Sequence, residues 1–128
     1  MEQIHVLLVD DHAMVRAALR SILEGYPDMA VTEADNGMAA IEAVERSQPD
    51  VIVMDISMPV MNGIEATRRI KALHPLITVI GLSVNAHPEP RAAMTEAGAA
   101  TLMLKEKALE QLYSVIKEAV VSQCAASS

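Results

Sequence analysis

Five short apolar segments recur along the chain, separated by longer stretches with a different hydrophobic period. Four of them are continuous rather than alternating, which is typical of strands buried on both faces of a parallel sheet. These four segments are residues 6–9, 51–54, 77–82 and 101–104. The fifth segment, residues 29–34, carries Thr32 and Glu33 and therefore predicts a strand at the edge of the sheet.

The stretches between these strands show the spacing of amphipathic helices. Apolar residues follow the i, i+3, i+4, i+7, i+8 pattern from Val15 to Leu23, and Gly25 marks the end of this first helix. The turn residues 35–37 then open a second helix, whose apolar face includes Ile41. Each of these helices would bury one face against the sheet.

Three further helices are predicted in the second half of the chain. Asn62 is a suitable N-cap for a helix over residues 64–73, and the last helix has a wide apolar stripe over residues 109–120. The helix between them, residues 89–97, is rich in alanine, and Met94 is its only large apolar residue. Because it has few apolar anchors, we expect this helix to be of low local stability.

This alternation predicts an α/β fold of the (βα)₅ type, in which five parallel strands form one doubly wound sheet. Right-handed crossovers place helices on both faces of the sheet. The strand order 2-1-3-4-5 puts the polar second strand at an edge and places the ligand site at the carboxyl ends of strands one and three. We predict one domain over residues 1–121, with residues 122–128 as a flexible tail or the start of a linker.

The composition narrows the classes of function. The 128 residues carry a net charge of −7, which makes direct binding to a nucleic-acid backbone unfavourable. Two tyrosines, with neither tryptophan nor phenylalanine, argue against a flavin held between aromatic rings, and hence against an electron carrier of the same topology. The single cysteine, Cys124, excludes an internal disulfide. Neither a membrane span nor a signal peptide is expected, so a cytoplasmic location is the default.

Charged and polar side chains follow the strands at the points where they end. Asp10 and Asp11 follow the first strand, Asp55 the third, Ser83 the fourth and Lys105 the fifth. Because adjacent strands lie about 4.8 Å apart, the carboxylates should converge at one edge of the sheet. Clustered carboxylates repel one another, and an all-oxygen site suits a hard cation such as Mg²⁺. A role as helix caps is the alternative, and it is about as good for Asp11 alone.

Four stretches of the sequence then identify a family. They are LLVDDH, VIVMDISMPVMNG, GLSVNA and AGAATLMLK, and the D-x-x-M-P-x-x-x-G spacing from Asp55 to Gly63 follows an apolar strand. Over nearly its whole length the chain resembles the response-regulator receiver family of two-component signalling. The opening DDHAMVRAALRSILE is most similar to the subfamily whose output is a LuxR-type helix-turn-helix.

The resemblance implies that Asp55 accepts a phosphoryl group from a phosphohistidine on a sensor histidine kinase. It implies that Mg²⁺ is held by Asp11, Asp55 and the backbone carbonyl of Ser57, with Asp10 acting through a water molecule. Lys105 would place its positively charged ammonium beside the phosphoryl oxygens. The chain would catalyse its own phosphorylation and dephosphorylation without being a turnover enzyme. Binding to DNA would require an output domain beyond residue 128, and a homodimer is a further expectation left open.

The resemblance also implies a switch. The phosphoryl group would draw in Ser83 and shift the face formed by helix four, strand five and helix five. Leu102 stands where many members carry an aromatic residue, so coupling through an aromatic rotor is in doubt. Glu106 stands where many have proline, so the Lys105–Glu106 peptide is expected to be trans, with a different last loop. Ser57 and Asn85 are expected to tune the lifetime of the phosphoryl group.

Two alternatives belong to other classes of function. A Mg²⁺-dependent phosphatase with an aspartate nucleophile usually needs a second acid two residues after that nucleophile, and Ser57 occupies this position. A stand-alone receiver would act through protein–protein contact without a DNA-binding module. His12, beside the acidic pair, is expected to be a first-turn helix residue, although contact with an incoming partner is the other interpretation.

Overall fold

Five parallel strands alternate with five helices in the computed structural model, which describes residues 3–58, 60–84 and 88–127. The strands and helices are, in order, β1 (Ile4–Val9), α1 (Ala13–Glu24), β2 (Met29–Ala34), α2 (Gly37–Arg46), β3 (Val51–Asp55), α3 (Gly63–Leu73), β4 (Thr78–Ser83), α4 (Pro88–Ala97), β5 (Thr101–Leu104) and α5 (Lys105–Ser127). The sheet has the order β2-β1-β3-β4-β5, which confirms the predicted fold class.

The sheet register brings the strand ends to one edge. Val9, the last residue of β1, pairs with Met54 of β3, so the residue after each lies at the same level of the sheet. Asp55 pairs with Leu82, and Ser83 pairs with Leu104 at the end of β5. The residues that follow the apolar strand cores are therefore neighbours in space, although they are far apart in the sequence.

Alternate residues of each central strand pack on opposite faces, which explains why the strands are apolar without a break. On one face Leu7 and Ile52 pack with residues of α2, α3 and α4, including Met94. On the other face Leu8 and Val53 pack with residues of α1 and α5. Each face buries a separate hydrophobic cluster, so the sheet lies between two cores.

The N-cap predicted for α3 is confirmed, and α2 begins at the turn predicted for it. The Asn36 side chain accepts a hydrogen bond from the backbone N–H of Ala39 at 2.9 Å, at the start of α2. The Asn62 side chain accepts one from the backbone N–H of Glu65 at 3.0 Å, at the start of α3. Gly25 follows the last residue of α1 in a right-handed conformation, with φ of −70°. These contacts fix where the loops of the sheet give way to helices.

Helix α4 is anchored through few side chains, as the sequence predicts. Its buried residues are Met94 and Ala97. Gly81 of β4 leaves room above the strand for Met94 and for Leu102 of β5, because a methyl group on Gly81 would lie 2.8 Å from Met94 Cε and 2.5 Å from Leu102 Cδ1. The junction between α4 and the sheet therefore depends on a glycine packed against two flexible apolar side chains.

Helix α5 begins directly at the end of β5 and is held near its middle. No cis peptide bond occurs in the described ranges, so the trans bond expected before Glu106 is confirmed. Farther along, Lys117 Nζ lies 2.7 Å from Asp28 Oδ2, and the Tyr113 hydroxyl donates to the same carboxylate at 3.0 Å. Hydrogen bonds from Lys117 and then Tyr113 outweigh partial burial and hold the pKa of Asp28 below its usual value.

The Tyr113 ring also stacks on Tyr26, with centroids 3.6 Å apart. The α5 backbone is helical through Ser127, beyond the predicted boundary at residue 121. The assignment of residues 122–128 as a linker stays a prediction. No helix within the described part of the chain is both long and apolar enough to cross a membrane.

The close approach of Gly63, at the start of α3, to the backbone of Asp55 leads to a prediction about stability. A Cβ on Gly63 would collide with the Asp55 carbonyl oxygen, whereas one on Gly25 would lie 3.2 Å from the Ile22 oxygen. We expect Gly63→Ala to lower the free energy of unfolding by about 2 kcal/mol, because the loop must shift. Gly25→Ala, the matched control, should change it by less than about 1 kcal/mol. Urea denaturation measures both, and equal effects would contradict the close approach.

Candidate functional site

The first two carboxylates of the site stand on the turn between β1 and α1. Asp10 directly follows β1, and its side chain is only 2% exposed. Its backbone N–H donates to the Ala34 carbonyl at 3.2 Å, so the pairing with β2 extends past the strand. Its Oδ1 accepts the backbone N–H of His12 at 2.8 Å, which turns the chain into α1. The next carboxylate, Asp11, is 29% exposed and faces the solvent side of the site.

The third carboxylate stands at the end of the central strand. Asp55 is the last residue of β3 and is 2% exposed, and its Oδ1 accepts the backbone N–H of Ser57 at 3.3 Å. The loop that follows closes on itself, because the Gly63 N–H donates to the Ile56 carbonyl at 2.8 Å. The nucleophile expected from the sequence is therefore held on a strand and supported by the short loop after it.

The structure brings together the three carboxylates that the sequence singled out. Ligand atoms from Asp10, Asp11, Asp55 and also His12 lie within 4.8 Å of one another. Their convergence follows from the parallel register, since β1 and β3 are adjacent and end at the same level. The alternative that these residues serve only as helix caps loses support, because α1 has no side-chain cap hydrogen bond.

Lys105 joins the carboxylates of the two central strands. Its Nζ lies 2.9 Å from Asp10 Oδ2 and 3.1 Å from Asp55 Oδ2, and its side chain is 11% exposed. Burial alone would lower the pKa of Lys105, but the two carboxylates outweigh it and hold this pKa above its ordinary value. The side chain is therefore a fixed positive charge at the floor of the site.

The electrostatics of Asp55 indicate an unsatisfied negative charge. Burial, followed by the charge of Asp10, raises the pKa of Asp55 from 3.8 to about 6, although Lys105 opposes the change. Within the described ranges, the Oδ2 atoms of Asp10 and Asp55 accept no well-aligned hydrogen bond. Both of these oxygens lie close to the Lys105 ammonium, so their contact with it is an ion pair. This oxygen donor set fits a hard divalent cation and matches the metal site of receiver domains.

A cavity of about 90 Å³ opens above Asp55. Ser57, Ser83 and Lys105 line it, so the hydroxyl, the ammonium and the carboxylate predicted for the site share one space. Ser83 is buried at the end of β4. Asn85, to which the sequence assigned a tuning role, lies outside the described residues.

Leu102 lies in the core rather than in this cavity. It is 7% exposed on β5, and its Cδ1 occupies the space above Gly81. The position at which many receiver domains carry an aromatic residue is therefore filled here by a branched aliphatic side chain that packs beside Met94. Leu102, at the position where an aromatic rotor was in doubt, is therefore a core-packing residue in this chain.

Sequence reasoning missed Arg16 and underestimated His12. The Arg16 guanidinium donates to the backbone carbonyl of Asp10 at 2.5 Å and to Glu33 Oε1 at 2.7 Å, and so ties the β1–α1 turn to the edge strand β2. His12 precedes α1 and also lines the cavity. The one signal in the sequence for the Arg16 contact was Glu33, an acidic residue on an edge strand that follows a helix containing an arginine. Such pairs are too common to predict a contact.

A sheet of this order, with buried acids at the ends of β1 and β3 and a lysine directly after β5, is the arrangement of a receiver domain. Residues 6–117 match the family model described as the response regulator receiver domain, and the chain belongs to this family.

Its relatives include regulators of transcription. The chain is 35% identical over 122 residues to the transcriptional regulatory protein DegU of Brevibacillus brevis, covering 94% of this chain and 51% of that protein. It is 38% identical over 121 residues to the response regulator UvrY of Escherichia coli K12, covering 94% and 56%. The chain therefore spans about half the length of the curated relatives it matches.

Solved structures give the same assignment. A LuxR-family two-component response regulator from Aurantimonas sp. SI85-9A1 superposes with a TM-score of 0.88 at 29% identity, over 94% of this chain and 87% of that one. The response regulator domain of Thermotoga maritima CheB superposes with a TM-score of 0.85 at 32% identity, over 93% and 97%. The receiver fold is thus shared with these response regulators.

The raised pKa of Asp55 predicts a pH-dependent stability. Because this pKa lies at about 6 in the folded protein and at 3.8 for an ordinary solvated carboxyl, charging Asp55 destabilises the folded state. Stability in a metal-free buffer should therefore fall as the pH rises through this window. Asp55→Asn should raise the free energy of unfolding above the window by up to about 3 kcal/mol and leave it little changed below.

Urea denaturation with a chelator present, on both sides of the window, checks this expectation. The control is Asp35→Asn, which removes an exposed carboxylate just after β2, outside the acidic cluster. A gain for Asp55→Asn that is the same at both pH values, or a matching gain for the control, would contradict the electrostatic origin.

Proposed function

We propose that this receiver domain accepts a phosphoryl group on Asp55, in a Mg²⁺-dependent transfer from the phosphohistidine of a sensor histidine kinase. One observation carries the proposal: the buried carboxylate of Asp55 lies beside Lys105 and close to Asp10, and it opens into a cavity of about 90 Å³. A carboxylate in this setting has a positive charge beside it and room for an incoming phosphorus atom. Its activation comes from the charges around it rather than from a neighbouring base.

In the transfer, an Asp55 carboxylate oxygen attacks phosphorus and forms the P–O bond of an acyl phosphate. The P–N bond to the donor histidine breaks, and the departing nitrogen keeps the electron pair; the donor leaves as neutral imidazole because the other ring nitrogen of the phosphohistidine carries a proton. The Lys105 ammonium, 3.1 Å from Asp55 Oδ2, stays close enough to contact the phosphoryl oxygens.

The donor set for the cation consists of Asp11, Asp55 and the backbone carbonyl of Ser57, with Asp10 acting through a water molecule. Bound Mg²⁺ would neutralise the charge on the equatorial phosphoryl oxygens. The local charge supports this assignment, because the two buried carboxylates share the single positive charge of Lys105. Ser57, at the rim of the cavity, and Asn85 are the residues that we expect to tune hydrolysis of the acyl phosphate.

The output begins at Ser83. A phosphoryl group on Asp55 adds acceptor oxygens to the cavity that Ser83 lines, and a hydrogen bond from the Ser83 hydroxyl would displace the end of β4. Helix α4 lies just beyond this strand end and is anchored mainly by Met94, so a small displacement can change its packing. We infer a population shift of the face formed by α4, β5 and α5, in which Leu102 moves with β5 as a packing residue.

The relative named as a transcriptional regulatory protein, DegU, supports a DNA-binding output, supplied by a module outside this chain. The receiver would then control that module through its switch face, either in a homodimer or as a monomer, in the cytoplasm where the DNA and the kinase phosphohistidine are available. A receiver that acts alone through protein contact is the other arrangement. A sequence that continues into a helix-turn-helix after residue 128 distinguishes the two.

Asp55→Asn should abolish phosphorylation of the protein. An amide is a poor nucleophile towards phosphorus, so the variant should form no acyl phosphate with acetyl phosphate or with phosphorylated kinase. Mass spectrometry of the intact protein under acidic conditions measures the label. Asp35→Asn, the matched exposed aspartate, should be labelled like the wild type. Full labelling of Asp55→Asn would place the nucleophile elsewhere.

Asp11→Ala should raise the Mg²⁺ requirement while leaving the nucleophile in place. Since one direct oxygen ligand is lost, the Mg²⁺ concentration for half-maximal labelling by acetyl phosphate should rise about tenfold or more. The Mg²⁺ dependence of Asp35→Ala serves as the control. An unchanged titration for Asp11→Ala would contradict its role as a ligand.

A further inference from the structure

His12 stands at the mouth of the cavity above Asp55. Its side chain is 60% exposed to solvent, yet it lines the same space as Ser83 and Lys105. The volume of about 90 Å³ corresponds to about three water molecules. A space of this size admits a phosphoryl group and leaves the rest of the donor outside. His12 therefore lies where the phosphoryl group and the donor meet.

The imidazole ring is in contact with the charged groups around the nucleophile. Its Nδ1 lies 3.1 Å from Asp10 Oδ1 and 3.3 Å from Asp11 Oδ1. The same atom lies 3.4 Å from Lys105 Nζ, the ammonium that contacts Asp55. A group bound between Asp55 and Lys105 would thus lie within hydrogen-bonding reach of the ring.

The present contacts of the ring are replaceable. Asp10 Oδ1 already accepts the backbone N–H of His12 at 2.8 Å, so the carboxylate stays held when the ring turns away. The His12 side chain makes no cap hydrogen bond to α1. Turning the ring towards a ligand therefore costs neither the turn nor the start of the helix.

We propose that His12 is a further phosphoryl-binding residue, whose imidazole N–H donates a hydrogen bond to an oxygen of the phosphoryl group at Asp55, beside Lys105. This inference rests on the proposed function and deepens it. An imidazole carries at least one N–H in either protonation state, so the hydrogen bond does not require a charged ring. A hydrogen bond to an anionic oxygen is of the stronger, charge-assisted kind.

The position of the ring favours a contact with the phosphoryl group over a contact with the cation. His12 lines the cavity together with Lys105 and Ser83, the residues that face the phosphoryl oxygens, whereas Asp10 and Asp11 are not among its lining residues. The ring nitrogen also lies 3.1 and 3.3 Å from Asp10 and Asp11, so the ring borders both the phosphoryl side and the cation side of the site. Ligation of the cation by His12 is the competing role, and the test separates the two.

The test compares His12→Ala and His12→Gln with the wild type, and uses beryllofluoride as a tetrahedral mimic of the phosphoryl group. In the presence of Mg²⁺, fluorine NMR titration should show affinity for beryllofluoride about tenfold weaker in His12→Ala. His12→Gln should recover most of the affinity, because its amide also donates an N–H. The fluorine resonance nearest residue 12 should shift in both variants. His5→Gln, at the opposite end of β1, is the matched control and should behave like the wild type.

Two further measurements decide between the roles. The Mg²⁺ dissociation constant, measured by calorimetry without beryllofluoride, should change by less than about twofold in His12→Ala. If the affinity for Mg²⁺ falls as much as the affinity for beryllofluoride, His12 is a ligand of the cation and the inference is overturned. Labelling by phosphoramidate should slow in parallel with the loss of mimic affinity. Unchanged mimic affinity in His12→Ala would also overturn it. Failure of the proposed function would look different, because the wild type itself would then remain unlabelled.

Discussion

The ion pairs that Lys105 makes with Asp10 and Asp55 are the contacts on which the site depends. Two nearly fully buried carboxylates repel each other, and one ammonium placed 2.9 and 3.1 Å from them offsets only part of that charge. Burial and then the charge of Asp10 raise the pKa of Asp55, so the folded site favours an additional cation. The cation-binding and nucleophilic roles that we propose for these carboxylates both rest on this incomplete neutralisation.

The parallel register places these charges. Because β1, β3 and β5 end at one edge, three side chains from distant parts of the sequence meet without a long loop. This parallel arrangement explains why much of the fold and of the acidic cluster could be predicted from the sequence. The five strands and the convergence of Asp10, Asp11 and Asp55 follow from hydrophobic period and strand order, and the Asn62 cap follows from the type of residue before α3.

The features that escaped sequence reasoning depend on side-chain direction rather than on strand order. Arg16 reaches the Asp10 carbonyl because α1 packs beside β2, and the position of Arg16 in a helical pattern does not show which partner it finds. The contacts of His12 with Lys105 join residues from opposite ends of the chain. The backbone of α5 also continues beyond residue 121, because a small polar tail that reads as a linker is still compatible with helix.

The two attachments of α5 have a mechanical consequence. Its first residue, Lys105, is paired with the carboxylates at one edge of the sheet, and Lys117 is paired with Asp28 on the other side of the tyrosine stack. These two residues are about 18 Å apart along the helix axis, at 1.5 Å per residue. A helix held at two such points resists sliding along its own axis. A displacement of Lys105 would therefore tilt α5 about the contact between Lys117 and Asp28.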